Sequence, residues 1–144
     1  MCIRDRDETG GFTAFITWNF QPDHTDLAGD SARWDGAKAT GFDHLRTVAV
    51  ARLFLDNIDH LQASWVTQGP KIAQVSLRYG IDDFGSTMLE ENVVSAAGTS
   101  HTDQMTLGEM ERLIVEAGFA PQRRDTRYQR VPSAAPPLAK AALP

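Results

Sequence analysis

Short apolar segments alternate with helix-like patterns along the middle of this chain, and most joints between them are brief. That alternation is the strongest constraint on the fold, because strands joined through helices run parallel and pack by right-handed crossovers. Gly11 to Phe20 is rich in aromatic and β-branched residues and stops at Gln21-Pro22, which predicts a strand. His60 to Val66 and Ile81 to Ser86 read the same way, and Pro121 to Tyr128 supplies a fourth segment. Four parallel strands, near 12–18, 60–65, 81–86 and 122–127, leave two open sheet edges, which is unusual for a complete domain. The expected fold class is therefore α/β: the C-terminal half of a (β/α) TIM-type barrel, with about four parallel strands and intervening helices.

The helices carry their own punctuation. Phe42 to Leu55 places Leu45, Val48, Ala49, Leu53 and Phe54 at helical spacing, behind Thr40 and Asp43 as a capping-box analogue. Gly69-Pro70 opens a helix whose expected apolar side is Ile72, Val75 and Tyr79, flanked by Ala73 and Leu77, and Gly80 stops it. Thr106 and Glu109 form a second capping box ahead of the stripe Leu107, Met110, Leu113, Ile114 and Ala117, which Gly118 ends. Residues 23–40 read as a long polar loop, and 87–98 fit either a helical turn or an extended loop.

Both ends look foreign to this pattern. Residues 1–9 alternate charges without an apolar period, and Met1 to Arg6 resembles a translated sequencing adapter, so a non-native or disordered leader is expected there. Residues 10–130 form the barrel segment. Residues 131–144 are dense in proline and alanine and read as a disordered tail.

Composition removes several function classes. The net charge is −5 with no run of Lys or Arg, which argues against nucleic acid or an anionic membrane as partner. No stretch of about 18 apolar residues is present to span a bilayer. One cysteine, Cys2, and no export signal make the cytoplasm the expected compartment. His24, His44, His60 and His101 lack metal-ligand spacing and are read as solvated or capping residues, so no metal site is assigned. Asp83-Phe84-Gly85 spells the kinase magnesium motif, but the companion loops of a kinase are absent.

In a barrel the ligand face is the carboxyl end of the strands. That rule selects Trp18, Ser64, Trp65, Ser86, Thr87 and Arg124 as substrate-binding candidates, with Trp18 and Trp65 also readable as plain core residues. Asp83, Glu90 and Glu91 are the candidate catalytic carboxylates, against the alternative that the two glutamates form a solvated surface. Lys71 at the Gly69-Pro70 helix start is a candidate for holding a carboxylate, against ordinary helix capping.

The strings GGFTAFITWNFQP (10–22), LRTVAVARLFLDNIDHLQASWVTQGPKIAQVSLRYG (45–80) and DDFGSTMLEENVVSAAGT (82–99) occur together. As a set they resemble the C-terminal half of the cyclic dehypoxanthine futalosine synthase family, radical S-adenosylmethionine enzymes of menaquinone biosynthesis. The resemblance runs from about Gly10 to Tyr128. It implies a parent enzyme that uses S-adenosylmethionine and a [4Fe–4S] cluster to close the ribose of dehypoxanthine futalosine, a small-molecule substrate, onto its carboxyphenyl ring. It also implies that Ser64, Thr87 and Glu90 meet substrate hydroxyls, that Glu91 or Asp83 takes the final proton, and that Arg124 or Lys71 reads a carboxylate. The family's Cys-x-x-x-Cys-x-x-Cys cluster motif is absent, so the cluster ligands are not in this chain, and the 144 residues alone are expected to be inactive.

Two siblings are close alternatives. Deazaflavin (FO) synthases share Ser64-Trp65-Val66, Gly69-Pro70 and Glu90-Glu91 but usually carry Leu-Gly-Gly-Thr where this chain has Phe84-Gly85-Ser86-Thr87. Aminofutalosine synthase is similar more distantly. A reading of another class is a non-catalytic truncated α/β module that only packs against a partner.

Overall fold

Two helices begin where the capping boxes place them. In the computed structural model, which describes residues 3–30, 32–33, 35–88, 96 and 104–132, Thr40 caps α2 (Gly41–Phe54) by the reciprocal pair of bonds with Asp43. Thr106 caps the last helix, α5 (Leu107–Glu116), in the same way through Glu109. Between them lie the short helices α3 (Trp65–Gln68) and α4 (Pro70–Ser76), the latter continuing as a 3₁₀ turn over Leu77–Tyr79. Gly80 ends that run at φ 106°. A Cβ there would lie 2.8 Å from Arg52 Cβ, so only glycine fits both the backbone and the space.

The sheet is smaller than expected. Strands β1 (Ala14–Ile16) and β2 (His60–Gln62) pair in parallel, with Ala14 opposite His60 and Ile16 opposite Gln62. The third expected strand contributes one parallel bridge, Asp83 to Gln62, where Ala63 N donates to Asp83 O at 2.8 Å. The fourth, 122–127, is not a parallel strand. Arg124 bridges Arg130 antiparallel across a turn, because Asp125 Oδ1 accepts from the backbone N–H groups of Arg127 and Gln129 and reverses the chain. Among the described residues the architecture is mixed α/β, consistent with part of the expected barrel, with a two-stranded parallel sheet where four strands were expected.

Other differences have local causes. The strand expected to reach Val66 stops at Gln62, since Ser64 and Thr67 bond to each other at 2.5 Å and wind the chain into α3. On α2, Leu45, Val48 and Ala51 face inward, while Leu53 and Phe54 are exposed; Phe54 sits about two and a half turns beyond Leu45, on the opposite side. On α4 the inward face is Ala73 and Ser76, with Leu77 beyond, whereas Val75 and Tyr79 are exposed. Ser76 tolerates burial because its hydroxyl donates to Ala73 O at 2.7 Å.

Residues 3–9, expected to lack order, form helix α1 (Ile3–Thr9). It is tied down by polar contacts: Asn57 Nδ2 donates to Asp7 Oδ1 at 2.8 Å, and Arg6 pairs with Asp59 at 3.5 Å. The expected tail falls mostly outside the described residues.

The core gathers Val48 and Ala51 from α2, Leu61 from β2 and Ala63 just after it, Trp65, Ala73, Leu77, Phe84, and Met110 and Leu113 from α5. Leu61 is fully buried at its centre. Among the described residues no helix is long and apolar enough to cross a membrane.

Candidate functional site

Because β1 and β2 are parallel, the segments that follow them emerge on the same side. Trp18 after β1, Ser64 and Trp65 after β2, and Ser86 after the Asp83 bridge line one hollow, together with Ile16, Gln62 and Met88. Its walls are fixed. The Trp65 indole Nε1 donates to Ser86 O at 3.1 Å, joining the end of β2 to the segment beyond Asp83. Gly85 at φ 94° packs so close that a Cβ would meet Gln62 Nε2 at 2.9 Å. Trp18 stands largely exposed at the lip, while Trp65 is buried. The volume of about 70 Å³ admits a few waters and is well below the roughly 300–1,000 Å³ of an enclosing ligand site.

A second polar cluster surrounds Asp83. Its Oδ2 accepts from Arg124 Nη2 at 2.5 Å, from Arg124 Nε at 3.1 Å and from the Tyr128 phenol at 2.7 Å, while Gly85 N donates to Oδ1 at 3.0 Å. The Tyr128 ring stacks on His60 with centroids 4.0 Å apart, and the Arg124 guanidinium lies 4.1 Å over the same ring. Burial, then the hydrogen bond to the Asp83 carboxylate, push the Tyr128 phenol well above its ordinary range. For Arg124 burial opposes the charge, but the bond and charge of Asp83 outweigh it and the pKa rises. His60 also meets Asp82 at 2.6 Å, and the same Asp82 holds Arg52 at 2.5 Å.

Of the residues singled out from sequence, the hollow therefore unites Trp18, Ser64, Trp65 and Ser86. Asp83 and Arg124 meet each other instead, in an ion pair whose carboxylate has only 8% of its side chain exposed. Lys71 is exposed on the first turn of α4, and neither it nor Thr87 lines the hollow. Glu90 and Glu91 lie outside the described residues, as does His101. Tyr128 and Gln62 were not anticipated; a tyrosine following Arg124 by four residues was the available signal, but only the turn at Asp125 gives it meaning. His44, read as a solvated or capping residue, is buried in α2, with Nδ1 3.2 Å from the Thr17 hydroxyl and Nε2 unpartnered among the described residues. Its burial lowers its pKa.

Residues 9–136 match the CofH/MqnC C-terminal region. The chain belongs to that family. A cyclic dehypoxanthine futalosine synthase of Halalkalibacterium halodurans is 51% identical over 128 residues, covering 88% of this chain and 32% of the relative. One of Streptomyces coelicolor is 48% identical over 130 residues, with 90% and 31% covered. An aminodeoxyfutalosine synthase of Thermus thermophilus is 44% identical over 128 residues, with 89% and 34% covered. This CofH/MqnC C-terminal region thus spans about a third of the length of the curated relatives it matches.

The residues of this family member do not fit a [4Fe–4S] cluster. Such a cluster is held by several cysteine thiolates, and the sequence contains one cysteine, Cys2. Among the described residues no group of three His, Cys, Asp or Glu side chains is placed to hold a metal ion.

Proposed function

We propose that this chain is the substrate-orienting wall of a cytoplasmic radical S-adenosylmethionine enzyme that cyclises dehypoxanthine futalosine in menaquinone biosynthesis. The observation that carries the reading is the hollow itself. Trp18, Ser64, Trp65 and Ser86 come from three separate segments and converge where parallel strands end. The likeness to the two futalosine cyclases supports the substrate. S-adenosylmethionine and the cluster belong, in this reading, to the rest of the parent enzyme, and this chain alone is inactive.

The roles follow from the side chains. Trp18 and Trp65 offer aromatic faces to a planar ring, and Ser64 and Ser86 offer hydroxyls to a sugar. Glu90 accepts hydrogen bonds from ribose hydroxyls, and Glu91 is the nearby carboxylate for proton transfer. Asp83 acts as a positioning residue, since its carboxylate is already occupied by Arg124, Tyr128 and Gly85. Lys71 and Thr87 do not border the hollow, and their part in reading a carboxylate and a hydroxyl stays with the resemblance.

The test joins this chain to the first two thirds of the Halalkalibacterium relative and measures turnover of dehypoxanthine futalosine against the tyrosine substrate of the deazaflavin sibling. Preference for tyrosine would assign the chain to the sibling. Glu90→Gln should lower kcat/KM for the futalosine substrate by roughly 5- to 150-fold. Unchanged turnover would leave Glu91 as the carboxylate of this segment.

A further inference from the structure

Tyr128 does not line the hollow, yet an unbroken run of hydrogen bonds leads from it to the hollow's wall. Its phenol donates to Asp83 Oδ2 at 2.7 Å. The other carboxylate oxygen, Oδ1, accepts from Gly85 N at 3.0 Å. Ser86 follows in the chain, and its carbonyl accepts from the Trp65 indole Nε1 at 3.1 Å, while its hydroxyl donates to Met88 Sδ at 3.3 Å. Trp65, Ser86 and Met88 all line the hollow. Asp83 therefore acts as a two-sided clamp, with the C-terminal turn on one oxygen and the wall on the other.

The clamp depends on the chemistry of its parts. An ionised carboxylate presents two accepting oxygens, whereas a carboxamide presents one and would turn its NH₂ group toward donors. Asp83 is 8% exposed, so water does not readily replace a lost partner. Arg124 already neutralises the charge through Nε and Nη2 on Oδ2, so the Tyr128 hydroxyl is not needed for that purpose. What it adds is a second donor that fixes the direction of the carboxylate. Tyr128 holds φ 61° to deliver that donor, and backbone conformations of this kind collect where the surroundings enforce them for function.

We propose that Tyr128 is a positioning residue for the hollow, acting through Asp83 to fix the Gly85–Ser86 segment and with it the Trp65 indole. The inference rests on the reading above for the hollow's role toward substrate. The positioning itself is measured with no substrate present, so its failure would leave that reading standing.

The experiment is hydrogen exchange on the ¹⁵N-labelled 144-residue chain. It is read at the Trp65 indole Nε1–H, which Trp65→Phe identifies, and at the amide of Val48, buried in α2, as the gauge of overall stability. Tyr128→Phe keeps the ring and removes the hydroxyl. It should speed exchange of the indole by about fivefold relative to the Val48 amide. Asp83→Asn leaves one accepting oxygen for two sets of donors and should speed the indole likewise. In the double variant the indole should exchange no faster than in Asp83→Asn, because Tyr128 has lost the group it acts through. Tyr128→Phe alone carries the comparison should Asp83→Asn fail to fold. An unchanged indole overturns the proposal, as does equal acceleration at both sites, which marks a loss of stability alone. Additive effects in the double variant overturn it as well.

Discussion

The Tyr128 phenol and the Arg124 guanidinium share one oxygen of Asp83, so the Tyr128–Asp83 contact at 2.7 Å ties the C-terminal turn to the edge of the sheet. The bridge Asp83 makes with Gln62 places it beside β2, where a further strand would otherwise add. A turn bearing charged and aromatic side chains covers that edge in its place. Tyr128 adopts φ 61°, a backbone region unfavourable to an aromatic residue, and its three partners hold it there.

Asp83→Asn removes the charge and leaves Arg124 without its counter-ion. Breaking a fully buried pair costs about 3–5 kcal/mol. Arg124 keeps 25% of its side chain exposed, so about 2 kcal/mol of lost stability is expected. Urea unfolding of the variant against the parent chain measures it, and no change in midpoint would show the pair to be neutral.

The raised Tyr128 pKa makes alkaline stability depend on this cluster. The fold binds the phenolic proton more tightly than the unfolded chain, whose value is 10.0. Stability from this group is therefore fully present below pH 10 and is lost as pH rises through the folded-state pKa. Tyr128→Phe should flatten the alkaline limb of a plot of melting temperature against pH.

His44 works in the opposite direction. Burial lowers its pKa below 6.5, so the unfolded chain takes up a proton that the folded one refuses. Stability should fall as pH drops below 6.5 and level off once the folded-state pKa is passed. His44→Leu should reduce that slope in acid melts; an identical slope would mean that the ring is accessible in the fold.

The capping box on α5 has an acid signature. Bonds from the Thr106 backbone, then from its hydroxyl, hold the Glu109 carboxyl below its ordinary value of 4.5. Its contribution is present above that value and is lost as pH falls through the folded-state pKa. Thr106→Ala should cost about 1 kcal/mol at neutral pH. Circular dichroism at pH 3 should show a smaller difference between variant and parent than at pH 7.

Gly80→Ala introduces a Cβ into a φ of 106° and 2.8 Å from Arg52 Cβ. A loss of about 2 kcal/mol is expected from strain and displacement together. Because Arg52 donates to Gly80 O at 2.7 Å and to Asp82, the substitution should also loosen residues 80–82, which amide exchange would report. Unaltered exchange there would place the cost in the helix stop alone.

What the sequence determined on its own is local. Thr40 with Asp43, Thr106 with Glu109, Pro70 at a first turn and Gly80 and Gly118 at helix stops each act within about four residues, so the helix limits could be read directly. The convergence of Trp18, Ser64, Trp65 and Ser86 was legible too, because parallel strands send their following segments to one side. The tertiary structure decided the rest. Asp83 looks like a free carboxylate until Arg124 and Tyr128, more than forty residues away, arrive on it. The segment 122–127 has strand-like composition, yet Asp125 turns it back on itself and the sheet edge accepts the turn. His44 sits in a helix like any polar residue, and only the tertiary fold buries it and brings the Thr17 hydroxyl to its ring. Helix caps and stops depend on backbone groups a turn apart, whereas the partner of a buried charge is chosen by whatever the folded chain brings within hydrogen-bond range.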